Sequence, residues 1–372
     1  MFTETNKEED FGTFVSPRLK LTYESRAVVI SGTYRGTAQF FVNNSQENAY
    51  AQHSNFSFDF PGLTKRYKGL ELELIESFNF SPQLQAFSFA GEPGEAAGIA
   101  GMGQTEESET APEPRQSNQG LFTRRSDAFQ NLAGFNLTYA WTRRISPSLS
   151  YRNRLLLFAS EEFRDSVSHV VNSGLGYQWT PRTQFRISYG ATVTDFQAGD
   201  TSQPSDSFVS HRATIGARHQ FSRTLAFSGD IGTSTTESET RFIGNLRLNK
   251  TYTGGTASLR LDQFVGSGGG LAAAATLSQS VVGTIDHTLA RRLSGFLLLG
   301  FARNESLTTD EIDILTYQAT AGLRVRLLSW LNGNVSYSYI NQESNGLLGA
   351  GAERNTVFIG LTAIALPWRI VN

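Results

Sequence analysis

The feature that most constrains this chain is a repeated alternation of apolar and polar side chains. In residues 135–141 and 323–327, for example, apolar side chains fall on every second position. Successive side chains on a β-strand point to opposite faces, so each such segment has one apolar and one polar face. No stretch of comparable length has the period of an amphipathic helix. The pattern predicts an all-β chain.

The connections between these segments alternate in length and in charge. Short connections are expected at 146–148 and 181–183, among others, and basic residues lie in them or directly beside them, whereas the long connections carry acidic residues. Outer-membrane barrels have tight periplasmic turns and longer external loops, a sorting that a soluble sandwich or β-propeller does not need. We therefore predict a transmembrane antiparallel up-and-down β-barrel in the bacterial outer membrane. The basic residues of the short connections are Lys65, Arg66, Lys68, Arg143, Arg144, Arg182, Arg223, Arg291 and Arg292.

The strand count adds a parity argument. About seventeen strands can be assigned, from 11–23 to 354–368. If the last of seventeen strands ends in the periplasm, the first strand runs from the cell exterior toward the periplasm. A barrel with an even number of strands then needs one more strand before the first. We therefore expect about eighteen strands in the complete protein, with 1–10 as the loop after the missing strand.

We expect residues 1–372 to form a single barrel domain. Segment 91–120 is expected to be a flexible extracellular loop because its Gly-, Glu-, Pro- and Ser-rich composition cannot bury enough surface.

Composition narrows the possible functions. Apolar residues make up 39% of the chain, which suits a barrel with an apolar exterior and a polar lumen. With no cysteine, disulfides, thiolate metal sites and a cysteine nucleophile are excluded. The net charge of −2 does not indicate a nucleic-acid partner. The N-terminus lacks the basic and apolar segments of a signal peptide, so we interpret the chain as one from which such a peptide has been removed.

The sequence offers little that could support catalysis. Of the five histidines, His169, His211 and His219 fall on the apolar, outward parity and have no arranged serine and acid partners. No histidine and carboxylate have metal-ligand spacing on a shared face. Glu71 and Glu73 share a face, but they fit a salt-bridge ladder better than a hydrolase pair. We expect no enzyme activity, no metal and no cofactor.

The alternation along each strand also predicts which side chains face lipid and which face the lumen. The side chains predicted to contact lipid are Leu137, Tyr139, Leu175, Tyr177, Ile187, Tyr189, Leu323, Val325, Tyr337, Ile359 and Leu361. The aromatic girdle expected near the periplasmic interface consists of Trp141, Tyr177, Trp179, Trp330 and Trp368.

The polar faces carry more cations than carboxylates, the latter being Glu71, Glu73, Asp230 and Asp262. A charge on the lipid face costs ~2–4 kcal/mol near the midplane, so these residues are expected inside. Two interpretations remain open: a satisfied network that stiffens the wall, or a basic lumen that binds anionic solutes through guanidinium groups. The candidate luminal anion-binding residues are Arg18, Lys20, Arg152, Arg154, Arg186, Arg212, Arg218, Arg247, Arg260, Arg324 and Arg326.

Several segments are similar to those of one group of bacterial barrels. They are the stretch 3–11, the residues 15–17 and 19–23, the loop 43–48, the turn 177–183, and the closing residues 360–362 and 366–368. By these segments the chain resembles the outer-membrane β-barrel proteins encoded with exopolysaccharide and PEP-CTERM (exosortase) gene clusters. In that family a strand normally precedes the segment 3–11, in agreement with the parity argument. The chain departs from many barrels by continuing past Trp368.

The resemblance implies passive export of an anionic exopolysaccharide through a basic lumen. A general diffusion porin and a non-conducting structural or surface-anchoring barrel remain as alternatives. The expected partners are outer-membrane lipids and lipopolysaccharide, an anionic polysaccharide, and periplasmic export components, with no nucleic acid.

Overall fold

The computed structural model describes residues 11–43, 45, 48–81, 127–160, 164–197, 207–237, 239–267, 275–307, 313–345 and 351–364. These residues form one antiparallel sheet of 18 strand segments and one short helix. None of the helical structure in these ranges is long and apolar enough to cross a membrane. The elements are β1 (Gly12–Val15), β2 (Arg18–Glu24), β3 (Val29–Phe41), β4 (Ala49–Asp59), α1 (Pro61–Arg66), β5 (Leu70–Ser81), β6 (Ala128–Tyr139), β7 (Ile145–Phe158), β8 (Asp165–Thr180), β9 (Thr183–Gln197), β10 (Ser207–Ser222), β11 (Leu225–Thr236), β12 (Thr240–Tyr252), β13 (Gly255–Ser267), β14 (Ala275–Ala290), β15 (Leu293–Ser306), β16 (Asp313–Leu328), β17 (Leu331–Ser344) and β18 (Ala352–Ala363).

The first two segments are two parts of one strand. Both pair with β3, and their register is continuous from Gly12 opposite Phe41 to Glu24 opposite Val29. The break falls at Pro17, whose nitrogen has no hydrogen to donate to a ladder. The carbonyl of Pro17 still accepts a hydrogen bond from Gly36 N at 3.1 Å. The 18 segments therefore occupy seventeen strand positions, as the sequence predicts.

The sheet curls so that its first and last strands meet. Each strand pairs with the next along the chain, from β2–β3 to β17–β18. The rings of Phe14 on β1 and Phe358 on β18 lie in edge contact, with their centroids 6.3 Å apart. Because seventeen alternating positions place the two edge strands in the same direction, an antiparallel ladder cannot join them directly. Within the described residues no backbone pairing links β18 to β1 or β2, and the further strand expected from parity stays a prediction.

The register confirms the predicted division into two faces. Every side chain predicted to contact lipid lies on one face, where Leu175 is 46% and Leu323 47% exposed. Among large apolar side chains within strands, exposure is highest on the two edge strands, reaching 69% at Leu19 and 76% at Ile359, because each edge strand lacks a neighbour on one side. On the opposite face, side chains two strands apart touch one another, as they do only on the concave side of a curved sheet. This second face lines the lumen.

The two ends of the barrel differ as the sequence predicts. All the basic residues assigned to short connections lie in the connections at one end, and every one of them is exposed. Trp141, Trp179 and Trp330 are 67%, 59% and 51% exposed at the same end. Trp368 lies outside the described residues, as do segments 1–10 and 91–120. The short-connection end is the periplasmic end by the ordinary pattern of outer-membrane barrels.

Two local predictions about the connections are wrong. The turn expected at 146–148 is replaced by one at 140–144, because β7 already begins at Ile145 and includes Pro147. The connection between β4 and β5 contains a helical turn, α1, where a simple turn was expected. Pro61 suits the start of a helix since its missing N–H would be unpaired there in any case. Gly69, with φ of 87°, then returns the chain to the sheet.

The contact between the first and last strands can be tested by cross-linking, since the chain has no cysteine of its own. We expect the Phe14→Cys/Phe358→Cys double variant to be joined by a short bismaleimide, because the two side chains touch. The pair Phe14→Cys/Ala226→Cys, with Ala226 on β11, should not react internally. Mass spectrometry of the folded protein would detect the link, and equal yields for both pairs would contradict the curled sheet.

Candidate functional site

Every cation predicted to line the lumen lies on the inner face of the sheet. The assignment follows from the register, since directly opposite residues on neighbouring strands share a face. Arg186 lies opposite Gly216, Arg247 opposite Arg260, and Arg18 opposite Arg35. Their role in anion binding stays a prediction, but their position inside the barrel is established by the pairing of the strands.

Two guanidinium groups reach across a whole strand because a glycine lies between them and their partners. Arg186 on β9 donates to Asp230 on β11 at 2.9 Å, over Gly216 on β10. A Cβ atom at Gly216 would lie only 1.9 Å from the Asp230 Oδ1 atom. Asp230 also accepts a hydrogen bond from the Asn245 amide at 3.2 Å. We call such a set of three inward-facing residues with glycine in the middle a glycine row.

A second glycine row repeats the arrangement on the neighbouring strands. Arg212 on β10 donates to Asn172 on β8 at 3.0 Å, and Gly190 on β9 lies between them. A Cβ atom at Gly190 would lie 2.4 Å from the Asn172 Oδ1 atom. In both glycine rows the guanidinium group is therefore bonded to another side chain of the wall.

Other inward-facing arginines are paired with acids or amides. Arg260 binds Asp262 on its own strand through two nitrogens, the longer bond being 3.1 Å. Arg324 donates to Asp286 at 3.0 Å, and its guanidinium carbon lies 4.3 Å from the centre of the Phe296 ring. Such charge-assisted bonds, together with the cation–π contact, fix these side chains in position.

Glu73 takes part in a chain of polar contacts, although its direct partner is not an arginine. Its carboxylate accepts a hydrogen bond from the Asn136 amide at 2.8 Å, and Asn136 Oδ1 lies 3.5 Å from Arg152 Nη2. The salt-bridge ladder expected for this face therefore runs through an amide. Glu73 and Asp59 are directly opposite one another, and Glu24 lies in the same row of the sheet. This row of carboxylates lies at the short-connection end of β2–β5.

The cations on β2 and β3 differ from those described so far. Arg18 is directly opposite Arg35, which in turn is directly opposite His53, and Lys20 follows two residues after Arg18 on the same face. His53 is held by the Asn55 amide at 2.8 Å. Among the described residues, no hydrogen bond or ion pair joins the side chain of Arg18, Lys20 or Arg35 to an acid.

The sequence analysis missed several inward-facing residues. Arg35, Arg354, Asp59 and Asp286 follow the same parity as the predicted residues and could have been included by extending the alternation along β3, β18, β4 and β14. The glycines between the paired groups carry no such signal. A glycine on a strand is compatible with many roles, and only the neighbours two strands away show why one is needed at Gly216.

The outward histidines have simple polar partners on the lipid-facing surface. Tyr151 and His169 are joined by a hydrogen bond of 2.9 Å, and Tyr189 and His211 by one of 2.8 Å. Within the described ranges no three His, Asp or Glu residues are grouped so that they could hold a metal ion.

Comparisons with known proteins give matches among solved structures only. No protein-family model and no curated protein match the sequence. Among solved structures, the chain is similar to the FrpB iron transporter from Neisseria meningitidis (F3-3 variant; 7% identity, TM-score 0.46, 90% of this chain and 61% of FrpB). It is also similar to the ferric-catecholate import receptor Fiu from E. coli K12 in its open form (8%, 0.45, 95% and 73%) and to the ferric citrate transporter FecA (10%, 0.46, 96% and 62%).

The chain thus spans less than two thirds of the length of FrpB and FecA. With identities of 7–10% and TM-scores of 0.46 at most, these similarities assign no substrate, partner or mechanism.

The class of protein follows from the fold and its two faces. A single antiparallel sheet curls so that its ends meet, carries apolar side chains outside and charged side chains inside, and sorts its connections by length and charge. These are the properties of a transmembrane barrel in the outer membrane of Gram-negative bacteria. The protein is an outer-membrane β-barrel.

The first glycine row predicts a specific loss of stability. Gly216→Ala should lower the free energy of unfolding by about 1–3 kcal/mol, because the new methyl group would displace Asp230 from Arg186. Gly283→Ala on the outer face is the matched control, since its Cβ meets nothing within 4 Å and should change stability by less than about 0.5 kcal/mol. Denaturant unfolding in micelles, followed by tryptophan fluorescence, measures both. Equal losses would show that the contact over Gly216 does not matter.

Proposed function

We propose that this barrel is a passive channel with a lumen that favours anions, and that it exports an anionic exopolysaccharide. The observation that carries the proposal is the excess of inward-facing arginines over inward-facing carboxylates, in a chain whose net charge is −2. In the described strands, the inward-facing arginines include Arg247 and Arg326 as well as those in ion pairs. The polysaccharide itself is supported only by the resemblance to barrels encoded with exopolysaccharide gene clusters.

The physical basis is electrostatic focusing. A channel with low-dielectric walls concentrates the field of its fixed charges, so the local sign of the lumen matters more than the net charge of the molecule. Rings of charged side chains set ion selectivity in the same way in other pores. The ion pairs Arg186–Asp230, Arg260–Asp262 and Arg324–Asp286 contribute little net field, because each contains one charge of either sign. The preference is therefore expected from the cations that remain after these pairs are removed.

Under this proposal the chain acts without catalysis. The solute crosses by diffusion, outer-membrane lipids and lipopolysaccharide surround the apolar exterior, and components of a periplasmic export system deliver the polymer at the short-connection end. The exposed basic residues of that end, among them Arg143, Arg144 and Arg182, give an approaching anion an attractive field.

Ion selectivity tests the proposal. In planar bilayers under a salt gradient, we expect the reversal potential to show anion preference, decreasing at high salt because exposed charges are screened over ~8 Å at physiological ionic strength. Two single changes should act in opposite directions. Asp286→Asn should increase anion preference because it removes a negative charge from the inner face, and Arg326→Ser should decrease it because it removes a positive one.

Three outcomes would contradict the proposal. Cation preference in the parent protein would show that the luminal arginines do not set the field. Shifts of the same sign for Asp286→Asn and Arg326→Ser would separate the selectivity from charge. A protein that inserts but does not conduct would favour the structural barrel.

A further inference from the structure

Two groups stand out among the inward-facing cations, and the sequence alone does not separate them. In one group the guanidinium is held by a partner, as Arg186 is by Asp230 and Arg324 is by Asp286. The other group, which we call the β2–β3 cluster, consists of Arg18, Lys20 and Arg35. None of these three side chains is paired with an acid among the described residues.

The cluster is compact and places like charges together. Arg18 and Arg35 are directly opposite on strands that lie ~4.8 Å apart, and Lys20 is two residues, or roughly 7 Å, along the same face. Like charges directly opposite on neighbouring strands destabilise a sheet. The arrangement therefore works against folding unless something outside the wall neutralises it.

Among the described residues that share a row of the sheet with the cluster, none supplies that neutralisation. In the row of Arg18 and Arg35 the next residues are His53, Asn79 and Gln130, and in the row of Lys20 they are Thr33, Asn55, Ser77 and Leu132. The inward carboxylates on β2–β5 are Glu24, Asp59, Glu71 and Glu73, and all four lie at the short-connection end. Glu24 lies four residues from Lys20, which is about 13 Å along the strand. That distance exceeds the screening length of ~8 Å at physiological ionic strength.

We propose that Arg18, Lys20 and Arg35 form a binding site for carboxylate groups of an anionic solute in the lumen. The proposal deepens the function proposed above by assigning the anion preference to one side of the wall. Carboxylate is the chosen ligand because the same wall already shows guanidinium groups binding carboxylates, with two bonds in Arg260–Asp262. The planar fork of Arg18 or Arg35 fits a carboxylate in the same way, and Lys20 adds a point charge.

Two adjacent guanidinium groups favour a ligand with more than one carboxylate. An extended acidic chain can place successive carboxylates against Arg18 and Arg35 with little loss of its own freedom, since the wall holds both groups on neighbouring strands. A single small anion can occupy only part of the cluster. The site is therefore expected to prefer an acidic oligosaccharide over a neutral one of the same length.

The test is equilibrium binding to the full chain in detergent micelles at low salt, measured by isothermal titration calorimetry. The probe is the trimer of galacturonic acid, and maltotriose is the neutral probe of the same length. We expect binding of the acidic trimer only, weakened about tenfold or more in Arg18→Gln/Arg35→Gln, since a hydrogen bond to a charged group contributes enough for such a change. The matched control is Arg241→Gln/Arg303→Gln on β12 and β15, which removes the same charge at two arginines that carboxylates already hold and should leave the affinity almost unchanged.

A conservative variant separates the effect of the planar guanidinium group from the effect of the positive charge. Arg35→Lys keeps the charge but loses the planar fork, so it should bind the acidic trimer more weakly than the parent and more strongly than the double variant. The double variant removes repulsion between like charges and is expected to fold, which heat-modifiable electrophoretic mobility would verify. If it failed to fold, Arg35→Lys would still decide the question.

The outcomes distinguish this site from the channel function. No binding of the acidic trimer by the parent protein, or equal weakening in both double variants, would overturn the β2–β3 cluster as a site even if the bilayer measurements showed anion preference. Binding that depends on Arg18 and Arg35 in a protein that does not conduct would support the site and overturn the channel.

Discussion

The structure depends on the pairing of backbone hydrogen bonds between neighbouring strands. In the hydrocarbon region no water is present to satisfy a free N–H or C=O group, so every strand needs partners and the sheet has to curl back on itself. That requirement also fixes the face of the sheet to which each side chain points, because a shift of one residue in any ladder would exchange its apolar and charged faces. The regular register from β2 to β18 therefore determines at once what contacts lipid and what lines the lumen.

Glycine has a particular role on the concave face. Side chains there converge, and a residue without a Cβ allows groups on the two flanking strands to meet above it, as Arg186 and Asp230 do over Gly216. This accounts for part of the high glycine content, 35 residues, in a chain made mostly of strands, where glycine is otherwise unfavourable. The wall is stiffened by these contacts, while the paired charges add little net field. Under the proposed function, stiffening and selectivity belong to different residues of the same inner face.

Under the proposals made here, the two interpretations of the luminal cations, wall network and anion site, apply to different arginines. Arg186, Arg260 and Arg324 belong to the network because each has a carboxylate within hydrogen-bond distance. Arg18, Lys20 and Arg35 face one another beside the seam between the first and last strands. No property of the individual residues distinguishes the two sets, since all lie on the polar parity of a strand. The partners of each cation determine the set to which it belongs. The partners of Arg186 and Arg324 lie 44 and 38 residues away in the chain.

The sequence by itself determined the class of fold, the outward and inward side chains, and the end of the barrel that carries the basic turns. Those properties depend on alternation and connection length, which are local and can be read along one strand at a time. Only the tertiary structure decided which luminal charges are neutralised, why Gly216 and Gly190 are glycines, and that β1 and β2 are one strand interrupted at Pro17. It also showed that the turn before β7 lies at 140–144 and that α1 lies between β4 and β5. Each of these depends on which strands become neighbours and on the curvature of the sheet, and neither is encoded within a single segment.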